Sequence, residues 1–83
     1  MTERAHIEPK QVRLLSGVKT GATAQLLRVA GGRGLNRRLA ALGFVPGAAI
    51  TVISNGDPGP SVVVVKDVKM ALGRGVARQI QVQ

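Results

Sequence analysis

Residues 37–47 read R-R-L-A-A-L-G-F-V-P-G, and this one block carries a helix, its stop signal and the turn into a strand. Leu35, Leu39 and Leu42 fall at i, i+4 and i+7, the spacing of a single apolar stripe on a helix, while Arg37 and Arg38 lie off that stripe and stay in water. Gly43 stands just past the helix end, where a left-handed backbone costs glycine little. Pro46 keeps the helix from resuming, and Gly47 supplies a turn before the next apolar run at 48–53. A chain built around this block is a helix feeding a sheet, and the rest of the sequence has to supply the strands.

It does so in short pieces. A first strand is expected over 22–29, ended by Gly31-Gly32-Arg33-Gly34, a loop whose glycines are expected to take positive φ. The helix follows over 35–42 and a second strand over 48–54. The run N-G-D-P-G-P at 55–60 is a turn signal, leading to a third strand over 61–66. Val62, Val63, Val64 and Val65 give that strand no polar face, so both faces are expected to be covered. Asp67 and Val68 suit a tight turn, 69–72 a fourth strand, and the glycine-rich 73–77 one turn of 3₁₀ helix. Ile80-Gln81-Val82-Gln83 alternates as a half-buried last strand. Ahead of these elements, 12–21 reads as a short helical or turn entry. Residues 1–11, with Glu3, His6, Glu8 and Pro9, read as a flexible leader, so the expected folded domain is 12–83.

The expected architecture is therefore mainly β: about five short antiparallel strands, with one short helix inserted after the first. Connections this short leave no room for parallel crossovers, which points to a small barrel of the SH3 or OB type, and the chain is short for an OB-fold. Composition agrees. In 83 residues there is one aromatic side chain, Phe44, so the core has to be built from Val, Leu, Ile and Ala. There is no cysteine to staple the body, which favours a sheet that closes on itself.

The same inventory argues against catalysis. The single histidine, His6, lies in the leader, so no serine or threonine has a base nearby in sequence, and Asp57 and Asp67 fall in separate turns rather than as a working pair. No set of three or four metal ligands is visible, and no cofactor is expected. The segment G-G-R-G before the helix fits neither nucleotide-binding glycine pattern. No apolar run approaches the length of a membrane helix, and a cytoplasmic domain is expected. What remains is charge: twelve Lys and Arg against four Asp and Glu, a formal net charge of +8. The basic residues gather around the helix (Arg33, Arg37, Arg38) and towards the C-terminus (Lys66, Lys69, Arg74, Arg78), where they suit an acidic partner surface or the phosphates of a nucleic acid.

The opening block and its surroundings resemble the FeoA family, the ferrous iron transport proteins A. The likeness runs in order through 15–21, Gly31-Gly32, R-L-A-A-L-G-F-V-P-G at 38–47, Gly56-Asp57-Pro58, Ala71-Leu72, and A-R-Q-I-Q-V at 77–82. Asp67-Val68 stands where the family places a glycine-containing hairpin, and Gly73 and Gly75 stand where it usually has longer polar residues. The resemblance implies an SH3-like barrel. It also implies a small accessory of ferrous iron uptake that is not an enzyme and that binds the cytoplasmic GTPase domain of the transporter FeoB. On this reading Arg33, Arg37, Arg38, Arg74 and Arg78 are the expected contact residues. The alternative is a small basic barrel that binds nucleic acid through phosphate contacts.

Overall fold

A computed structural model of the protein describes residues 12–56 and 59–83. The expected leader at 1–11, and Asp57 with Pro58 in the turn, lie outside the described residues. The elements run β1 (Arg13–Leu14), a 3₁₀ turn (Leu15–Gly17), β2 (Thr23–Val29), α1 (Arg33–Ala41), β3 (Ala49–Asn55), β4 (Ser61–Val65), β5 (Val68–Leu72), α2 (Arg74–Ala77) and β6 (Ile80–Val82). All strand pairs are antiparallel, in the order β1-β6-β2-β3-β4-β5. The expected strands form within a residue or two of their predicted bounds, and β1 adds a sixth from the entry segment. The helix α1 thus follows the second strand in chain order rather than the first.

The sheet curls because β2 is shared between two halves. Its first half, Thr23, Ala24 and Gln25, pairs with β3, and Leu26, Arg28 and Val29 pair with β6, with a register shift between Leu26 and Arg28 inside that second ladder. An irregularity of this kind sharpens the local twist and lets one strand serve two differently oriented halves. Alternate side chains from both halves then meet in one core, with Leu26, Ile50, Val52, Val63, Ile80 and Val82 each at most 2% exposed. Phe44 joins them, as does Leu39 from α1. Val63 and Val65 are buried while Val62 and Val64 are only half-buried, so β4 is covered fully on one face rather than on two.

Three local expectations are corrected. The stripe Leu35, Leu39, Leu42 breaks at its last member: α1 ends at Ala41, and Leu42, in a non-helical conformation, is 50% exposed. The tight turn sits one residue earlier than expected, on Lys66 and Asp67, both at positive φ (50° and 66°), between the paired Val65 and Val68. Positive φ at both central residues is the signature of a two-residue hairpin turn whose twist matches the strands, here made without glycine. Residues 74–77 form a single α-turn rather than 3₁₀.

One polar side chain ties the halves together. Asn55 Nδ2 donates to the carbonyls of Leu15 (3.1 Å), Ser16 (3.1 Å) and Val18 (2.7 Å), and Oδ1 accepts from the buried hydroxyl of Ser61. Carbonyls in and just after the 3₁₀ turn thereby find partners from the β3–β4 hairpin, as polar groups next to a core must.

Candidate docking surface

Of the second basic segment expected from the sequence, only the part around α2 is brought beside the entrance of α1; Lys66 and Lys69 lie on the β4–β5 hairpin, with Lys66 against the α1 exit. Ala30 N–H, just past β2, donates to the Gln79 carbonyl at 2.6 Å, which holds the exit of α2 beside the entrance of α1. The contact is close because residue 31 is glycine. A Cβ there would stand 2.5 Å from Leu35 Cδ2 and 2.7 Å from Gln79 Oε1. Gln79 is itself fixed by a side-chain hydrogen bond to the Gly75 carbonyl (3.1 Å), and Asn36 Nδ2 ties the entrance loop through the carbonyls of Gly31 (2.8 Å) and Gly32 (3.0 Å). Arg78 therefore ends α2 within two residues of the strand that borders the start of α1, where Arg33 is the first helical residue.

All five arginines expected to contact a partner are exposed. Arg37 follows Arg33 by one turn and shares its side of α1, and Arg38 lies next around the helix in the last turn, where a cation is favoured by the helix dipole. Arg74 opens α2 and Arg78 closes it. Arg33 and Arg37 are placed against local stability. The first stands at the positive end of the helix with no acidic residue in the first turn, and the i,i+4 spacing of the pair sets like charges together. Among the described residues the only carboxylate side chain is that of Asp67.

The sequence reading missed a second feature, at the other end of α1. The exit loop lies against the β4–β5 turn, so that a Cβ at Gly43 would stand 3.2 Å from Lys66 Cδ and 3.3 Å from Val65 Cγ1. Around this contact Leu42 (50% exposed), Val45 (37%) and Val68 (53%) leave apolar surface open. The only signal for it in the sequence is that Leu42 immediately precedes the stop glycine, where a helix end turns its last side chain out of the stripe. Among the described residues no pocket forms, no three of His, Asp and Glu come together, and no helix is long and apolar enough to cross a membrane.

This sheet and its capping helix place the chain in the class of small SH3-like domains. A solved FeoA of Stenotrophomonas maltophilia in complex with zinc, described as a prokaryotic SH3 domain protein, matches it at 26% identity and a TM-score of 0.75, over 86% of this chain and 89% of that one. The chain belongs to the FeoA family, whose domain model matches residues 13–83. A solved iron uptake regulatory protein (FeoA) shares 30% identity at a TM-score of 0.79, over 89% of this chain and 97% of the other. The chain also spans 43% of a manganese-dependent transcriptional repressor at 20% identity and a TM-score of 0.80, a likeness of fold alone. No match is found among curated proteins.

Proposed function

We propose that the protein is a cytoplasmic accessory of ferrous iron uptake, not an enzyme, and that it docks on the cytoplasmic GTPase domain of a FeoB-type transporter. Membership of the FeoA family supports the process, and one relative of matching length is an iron uptake regulatory protein. The observation that carries the docking surface is the placement of Arg33 and Arg37, exposed and set where they weaken the helix that bears them. Cations so placed are accounted for by an acidic surface on a partner. Arg38, Arg74 and Arg78 extend the same basic end, and complementary charge there steers encounter and fixes orientation. The nucleic-acid alternative gains nothing from the geometry. The chain's one aromatic side chain, Phe44, is 3% exposed and offers no platform on which a base can stack.

The test is a titration of the parent and of the double variant Arg37→Glu, Arg38→Glu against the isolated transporter domain, with duplex DNA and RNA as parallel ligands. Both side chains are exposed, so the circular dichroism spectrum and thermal midpoint stay close to those of the parent. The expected result is saturable transporter binding weakened about tenfold by the charge reversals, ~1.4 kcal/mol. Equal binding by both proteins removes these arginines from the contact. Salt-tolerant nucleic-acid binding without transporter binding overturns the reading altogether.

A further inference from the structure

The sheet has two edges, and they are unlike. β1 is only two residues long, whereas β5 runs for five and is bordered on one side by β4 and on the other by no described strand. In the β4–β5 hairpin, Val65 and Val68 flank a two-residue turn, so they form a hydrogen-bonded pair. By alternation Val63–Met70 and Ser61–Leu72 are hydrogen-bonded pairs too. The N–H and C=O groups of Lys69 and Ala71 then point away from β4, towards the open side. The two faces of this edge differ in character. On the inner face Leu72 is buried, Met70 is half-buried and Val68 is 53% exposed, so the apolar surface opens progressively towards the turn, where exposed Leu42 and Val45 stand nearby on the α1 exit loop. On the outer face Lys69 and Ala71 are exposed; Lys66, at the turn, lies with its stem against Gly43 of the α1 exit loop.

We infer that the open edge of β5 takes up an extended segment of a protein partner in which apolar side chains alternate with acidic ones. An added strand presents alternate residues to the two faces, which is the way exposed sheet edges bind peptides. Its inner residues cover Val68 and Met70, and its outer residues lie beside Lys69, which selects carboxylates. The same lysine discourages a second copy of this chain, since edge lysines repel a like strand while leaving an acidic one acceptable. The inference uses none of the five arginines and does not depend on which protein supplies the segment.

The probe is a capped ten-residue peptide alternating valine and glutamate, titrated into the full chain with backbone amide NMR shifts and hydrogen exchange as readouts. In the free protein the Lys69 and Ala71 amides exchange freely. With peptide they become protected, and the largest shifts fall on β5. A peptide alternating valine and lysine binds at least tenfold more weakly, as does the valine–glutamate peptide N-methylated on alternate residues along either edge. Ala71→Pro removes a donor that the native ladder does not use, so it leaves the fold intact and abolishes protection. Lys69→Glu reverses the preference between the two peptides. Absence of binding at millimolar peptide overturns the inference, as does equal binding of the two charge patterns or of the N-methylated form. Protection of Lys69 and Ala71 in the free chain also overturns it, because the edge is then covered by residues of this chain or by a second copy.

Discussion

The two ends of α1 are both rich in glycine, and the glycines are there for different reasons. At the exit, Gly43 has φ +102° and Gly47 φ +89°, conformations an L side chain rarely adopts. At the entrance, the loop G-G-R-G was expected to need positive φ, and none of its glycines has it. Gly32 caps the helix at φ −71°, while Arg33 and Gly34 are already helical. What the entrance requires is space at Gly31, where α2 and α1 approach. Glycine at the exit is conformational and at the entrance steric, and composition alone does not separate the two.

Substitution to alanine separates them, since alanine adds one methyl group in each place. Gly43→Ala is expected to have the largest effect, because a strained φ of this kind costs about 1–3 kcal/mol and the added methyl also presses on Lys66 and Val65. The thermal midpoint reads it, and an unchanged midpoint means that the exit loop relaxes out of the left-handed region. Gly31→Ala is expected to lower stability by ~1 kcal/mol, the low end of overpacking, because both of its nearest contacts are side-chain ends that can rotate away. Its specific mark is a displaced Gln79 side chain that gives up its bond to the Gly75 carbonyl, visible as a shift of the Gln79 side-chain amide resonances. If those resonances do not move, the space at Gly31 is not what seats Gln79 against the entrance. Gly32→Ser should be the smallest effect and of opposite sign. An added Cβ meets nothing within 4 Å, and a serine N-cap improves on glycine by a few tenths of a kcal/mol, read from denaturant midpoints. A destabilised Gly32→Ser would extend the steric requirement from Gly31 to the whole entrance.

Much of the fold was legible because its signals are local. Periodicity within α1, the stop at Gly43, and the valine run of β4 each lie within a few residues, and the elements formed close to where they were expected. The same locality explains the failures. Leu42 was assigned to the core from spacing, but the helix that would carry it there ends at Ala41, since the exit loop is pulled against Val65 and Lys66 from a distant hairpin. The turn at Lys66–Asp67 was misplaced by one residue because neither residue is the glycine that usually marks a positive φ. The arginines of the basic end could be named from the sequence as two clusters. The approach of the α2 exit to the α1 entrance depends on the hydrogen bond between Ala30 and Gln79, which no spacing rule encodes.

By itself, then, the sequence determined the family, the mainly-β architecture, the helix with its exit, and which kinds of side chain build the core. These follow from contacts between residues close along the chain, and from composition. The tertiary structure alone decided that Arg13–Leu14 pairs as a sixth strand, that Asn55 closes over carbonyls as many as 40 residues away, and that β5 is left with an open edge. Each of those is a choice of partner among many residues of equal propensity. It is settled when the curled sheet brings particular backbone groups within hydrogen-bond reach and leaves others facing out.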